Sequence, residues 1–134
     1  MAGDSEAPVK NPIVFHTDMI SDLREATQAD YDAAEARIRA ALPRLAVLDA
    51  RIVVDMGRGH ALTIEAKADP EIIAGALEEA VDCRMTIHPL DIIRIANCEI
   101  DARQAYWYSF IKVVGSNTLA VQFGDLIGAG IITP

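Results

Sequence analysis

Asp55-Met-Gly-Arg-Gly-His60 gathers a carboxylate, a guanidinium and an imidazole around one turn. Its two glycines would let the backbone approach an anionic ligand closely. In a catalytic reading, His60 is the acid/base group, Arg58 holds a small carboxylate-bearing molecule, and Asp55 is a second ligand-binding candidate. The plainer reading is steric, because a tight turn needs glycines and charges at loop tips are ordinary. The segment is not a phosphate loop, since it lacks the long glycine spacing and the terminal Lys-Ser/Thr. A second pair flanks Pro89: Asp91 could orient His88 as a general base, or His88 simply ends a strand.

His16, His60, His88, Cys83, Cys98 and Asp91 are the only candidates for metal ligation. None of their spacings matches a paired-thiolate or two-histidine helical motif, so no metal is expected. No cofactor is expected either. The run from Gly124 to Gly130 has the glycines of a dinucleotide fingerprint but no following helix to hold phosphates. The serines have no nucleophile-elbow context.

The elements that would position these groups belong to a chain of 134 residues, a length that suits one domain with one core. A net charge of −8 without any basic cluster excludes nucleic-acid binding by phosphate neutralisation. Two cysteines and no basic, apolar, small-residue leader pattern predict a cytoplasmic protein with free thiols.

Residues 1–12 read as a flexible arm and residues 13–134 as a single domain. Thr27-Gln-Ala-Asp30 predicts a helix start, and Tyr31, Ala34, Ile38, Ala41 and Leu45 continue as its apolar stripe, with Pro43 ending or kinking it. Alternation from Arg51 to Lys67 around the glycine turn predicts a hairpin. Asp69-Pro70-Glu71 predicts a helix to about Val81, because Asp caps, Pro suits the first helical position and Glu complements the dipole. A short strand should follow from Cys83, ended by Pro89. Residues 89–99 fit strand or helix. Residues 100–114 read as helix with Gly115 as a left-handed terminator, and residues 118–123 as a strand. The fold class is therefore α+β, a two-layer sandwich with helices on one face of a mainly antiparallel sheet.

Residues 113–134 carry one ionisable side chain, Asp125, yet glycines and polar residues interrupt the run too often for a membrane span. With 118–123 assigned to the sheet, an apolar strip at residues 124–134 is left to be covered, with Leu126, Ile127, Ile131 and Ile132 on it. Tyr106-Trp107-Tyr108 adds three amphipathic rings that one helix cannot bury together. These seven residues are the expected interface. The leading functional expectation is an accessory or oligomerising subunit, a homo-oligomer or a hetero-complex with a larger enzyme. The alternative is a small oligomeric enzyme with His-based acid/base chemistry at a subunit boundary and a small-molecule ligand. Neither expectation involves a membrane.

Overall fold

Thr27 and Asp30 start the first described helix in the way their spacing predicts. The Thr27 hydroxyl accepts from the Asp30 N–H at 3.3 Å, and the Asp30 carboxylate accepts from the Thr27 N–H at 2.8 Å. This reciprocal box satisfies two donors that a helix start otherwise orphans. The computed structural model describes residues 25–107 and 111–132. The arm at residues 1–12 and the expected interface residue Tyr108 lie outside them. Helix α1 (Gln28–Leu45) buries Tyr31, Ala34, Ile38, Ala41 and Leu45, and it continues through Pro43 rather than stopping there.

A short 3-10 turn leads into strand β1 (Ala50–Asp55), which pairs antiparallel with β2 (Ala61–Ala66). Ile52 faces Ile64 across this hairpin, and Val54 faces Leu62. The helix expected after Asp69-Pro70-Glu71 is instead strand β3 (Glu71–Ala74), with Ile72 opposite Ile64 and Ile73 opposite Thr63. Two forces override the capping signature. Without β3 the outer edge of β2 would present unpaired backbone groups, and Gly75, at φ +93°, turns the chain where a helix would have continued.

Strand β4 (Cys83–Ile87) lies parallel to β1, and β5 (Ile111–Gly115) lies antiparallel to β4. The five-stranded order is β3-β2-β1-β4-β5, with one parallel pair in an otherwise antiparallel sheet. Helix α2 (Pro89–Ala96), helix α3 (Ala102–Trp107) and helix α4 (Asn117–Ile132) complete the described elements. Helices α1, α2 and α4 contribute to the core that also takes Ile52, Val54, Ile64, Cys83 and Met85 from the sheet. The α+β architecture expected from the sequence is the one observed.

Two further segments depart from the sequence reading. Residues 100–114 are divided between α3 and β5, because β-branched Ile111, Val113 and Val114 complete the sheet beside β4. Residues 118–123 are helical. Ser116 caps them by accepting from the Leu119 N–H at 3.1 Å, and Ala120, Phe123 and Ile127 form a buried stripe at helical spacing.

Within the apolar ending, Leu126 and Ile127 are covered by the chain itself. Ile127 is 5% exposed within the core, and half-buried Leu126 packs against the same cluster. The Arg44 guanidinium of α1 donates to the carbonyls of Leu126 and Ile127 at 2.9 and 3.3 Å, which ties α4 to α1. Ile131 and Ile132 form the last turn of α4. Among the described residues no helix is long and apolar enough to cross a membrane.

Among the described residues no helix packs on the opposite face of the sheet; the connection from β3 to β4 runs there instead. The Thr63 hydroxyl donates to the Gly75 carbonyl at 2.8 Å and accepts from the Leu77 N–H at 2.9 Å. Arg84 donates to the Leu77 carbonyl at 3.1 Å, and Arg51 pairs with Glu65 at 2.6 Å. Buried Thr63 and nearly buried Glu65 thus have partners, as polar groups removed from water require.

Cys83 is fully buried, and burial, reinforced by the neighbouring Asp82 charge, pushes its thiol from 9.0 up to about 11. The folded state then holds this proton where the unfolded chain releases it. Its contribution is complete below pH 9 and disappears as pH rises toward 11. Two pH units correspond to roughly 2–3 kcal/mol. Urea midpoints should therefore decline more steeply from pH 8 to 11 in the parent than in Cys83→Ala, and parallel declines would contradict the assignment.

Candidate functional site

The residues singled out for chemistry occupy separate places. Asp55 accepts from the Gly57 N–H at 2.8 Å and so shapes its own turn, while Arg58 pairs with Glu25. His60 stacks face to face on Tyr31, with centroids 3.6 Å apart. It borders a cleft of about 230 Å³ together with Asp32, Glu35 and Met56, but neither Asp55 nor Arg58 lines that cleft.

His88 is the N-cap of α2. Its Nδ1 accepts from the Leu90 N–H at 3.1 Å, which places any proton of the neutral ring on Nε2. Asp91 sits in the first turn of α2, 2% exposed, and its carboxylate is 4.0 Å from the Arg94 guanidinium. Thus His60 with Arg58 and Asp55 do not converge in a concavity, and neither His88 nor Asp91 lines the cleft described next.

That cleft lies among α2, α3 and α4, has a volume of about 260 Å³ and is mainly apolar. Its construction begins at the end of α2. Cys98 adopts the left-handed conformation at φ +61°, its N–H donates to the Ile95 carbonyl at 3.0 Å, and the Glu99 N–H donates to the Arg94 carbonyl at 2.8 Å. This paired termination usually falls to glycine. It reverses the chain so that Ile100 and Ala102 line the cleft across from Ile95.

Helix α4 provides the other wall through Gly124 and Gly128, one helical turn apart. A Cβ at Gly124 would stand 2.5 Å from the Ala102 Cβ, and one at Gly128 would stand 3.1 Å from the Ile95 carbonyl oxygen. The helices approach this closely because side chains are missing at the contact. The Cys98 thiol donates to the Gly128 carbonyl at 3.5 Å and links the end of α2 to α4. Asp101 and Asp125, both exposed, are the only charged residues among the described lining residues and mark its solvent side.

Of these lining residues the sequence singles out Cys98 only as a possible metal ligand, and Gly124, Asp125 and Gly128 fall within the apolar strip expected at residues 124–134. The overlooked signal was the four-residue spacing of Gly124 and Gly128 on the face that also carries Ala120 and Ile127. Tyr106 and Trp107 end α3.

No protein-family model matches the chain, and no curated protein sequence does either. Solved structures do. A sterol carrier protein domain 2 from Helicoverpa armigera is 17% identical, with a TM-score of 0.56 over 84% of this chain and 98% of its own. Sterol carrier protein 2 from Aedes aegypti, in complex with the C16 fatty acid palmitate, is 14% identical, with a TM-score of 0.57 over 75% of this chain and 96% of its own. A UbiJ-SCP2 ubiquinone synthesis protein is 14% identical, with a TM-score of 0.55 over 72% of this chain and 78% of its own. The expectation of an accessory or oligomerising protein-binding subunit is overturned by these neighbours, which are sterol carrier domains, and Leu126 and Ile127 of the expected interface pack on the chain's own core. At this level of identity the likeness establishes the fold: the chain has the α+β fold of sterol carrier protein 2 domains.

Proposed function

We propose that this protein binds a long-chain apolar molecule in the cleft among α2, α3 and α4. The observation that carries the reading is the mainly apolar cleft itself, bounded by Ile95, Ile100, Ala102 and the bare faces of Gly124 and Gly128. Burial of chain methylenes supplies the driving force, about 0.8 kcal/mol for each one removed from water. A fold neighbour in complex with palmitate supports the choice of ligand class. Two free cysteines suit a reducing cytoplasm.

At about 260 Å³ the cleft is slightly smaller than the ~300–1,000 Å³ typical of sites that enclose a drug-sized ligand. A long chain therefore enters in part, and deeper seating requires α4 to yield. Helix α4 suits that role, because Gly124, Gly128 and Gly130 lie within it and each lowers helix propensity by about 1 kcal/mol relative to alanine. Displacement of a neutral fluorescent chain by n-alkanols of increasing length tests the proposal. Affinity should rise about fourfold per methylene before reaching a plateau. An affinity independent of chain length, or no displacement, contradicts it.

A further inference from the structure

The cleft combines an apolar interior with a rim of one sign. Asp101 and Asp125 are its only charged described lining residues, and no Lys or Arg stands among them. Arg44 reaches the neighbouring turn of α4, where its guanidinium is engaged by the Leu126 and Ile127 carbonyls, and exposed Lys112 on β5 does not line the cleft. Residues 113–134 contain no basic side chain, and neither do Tyr108, Ser109 and Phe110. Arg103 stands two residues beyond Asp101, and its backbone N–H is 3.4 Å from the Asp101 carboxylate. That contact fixes the carboxylate at the start of α3 while leaving the residue exposed. The net charge of −8 adds a weaker field of the same sign.

Resting on the chain-binding reading, we infer that the site selects amphiphiles by head group, taking a cationic polar end in preference to a neutral one and disfavouring a carboxylate. The apolar chain lies against Ile95, Ile100 and Ala102, and its polar end emerges between Asp101 and Asp125. A cation there gains attraction from two carboxylates in water. A fatty-acid anion is repelled by the same pair. In this respect the site differs from what the palmitate complex of the Aedes aegypti neighbour would suggest for it.

Dodecyltrimethylammonium, dodecanol and dodecanoate carry the same chain on three head groups. Each is titrated below its micelle concentration against the 134-residue protein loaded with a neutral fluorescent chain, with circular dichroism confirming the fold. The expected affinities fall in the order cationic, neutral, anionic, with a spread of roughly fivefold or more at low salt that narrows at high salt. In Asp101→Asn/Asp125→Asn the spread should shrink to within about twofold. Asparagine retains a side-chain oxygen for the Arg103 N–H, so α3 keeps its cap.

Dodecanoate binding as tightly as dodecanol would overturn the head-group inference and leave the chain site standing. A spread that persists in the double variant would trace to net charge and likewise overturn it. Failure of all three ligands to bind would remove the chain site and the inference together.

Discussion

Gly115→Ala is expected to lower stability by about 3 kcal/mol or more, and the melting temperature by roughly 10 °C. Gly115 closes β5 at φ +103°, in the region where a side chain meets its own backbone. A Cβ there would also stand 2.6 Å from the Asp82 carbonyl oxygen. That oxygen cannot move away cheaply, because it accepts from the Ser116 N–H at 3.1 Å and lies at the start of β4. Gly57 and Gly59 provide the comparison. They also have positive φ but no neighbouring atom within 4 Å of an added Cβ, so alanine there costs only the backbone preference, about 1 kcal/mol. Thermal unfolding of Gly115→Ala and Gly57→Ala side by side should separate them clearly, and equal losses would contradict the described packing.

Selective alkylation of Cys98 should weaken chain binding. Cys98 is exposed and lines the cleft, whereas Cys83 is fully buried with its thiol pushed up to about 11. The thiolate is the reacting form, so at pH 7.5 a maleimide should modify one cysteine of the two. The added group occupies the space beside Ile95 and Gly128 that a chain would fill. Affinity for a dodecyl chain should fall at least tenfold, a loss of about 1.4 kcal/mol. A bound chain should in turn slow the labelling. Full modification at Cys98 with undiminished affinity would place the chain elsewhere.

Elements set by local signals are legible in the sequence, and those set by the assembled sheet are not. Capping by Thr27 and Asp30, and the alternation on either side of the glycine turn, depend on neighbours in the chain, and both elements appear as read. Asp69-Pro70-Glu71 is also a local helix signal, but it competes with an open edge of β2 that only the assembled sheet presents. Ile111, Val113 and Val114 were absorbed into a helix because β4, their pairing partner, is distant in sequence.

The candidate site was the least legible part. A cleft made by absent side chains leaves no chemical signature, and polar residues attract attention first. Gly124 and Gly128 matter through what they allow across from them, at Ala102 and Ile95, and that proximity is tertiary. Asp55, Arg58, His60, His88 and Asp91 drew notice as reactive types. In the structure their described partners are a turn amide, an ion-pair partner, an aromatic ring, a helix start and an arginine.

The most direct measurement is a map of amide chemical shifts as dodecanol is titrated into isotopically labelled protein. A ligand in the cleft should perturb Ile95, Cys98, Ala102, Gly124 and Gly128 together and leave Thr63 and Arg84, on the opposite face of the sheet, unchanged. Saturable shifts centred on Tyr31 and His60, or on the β3–β4 connection, would contradict the account.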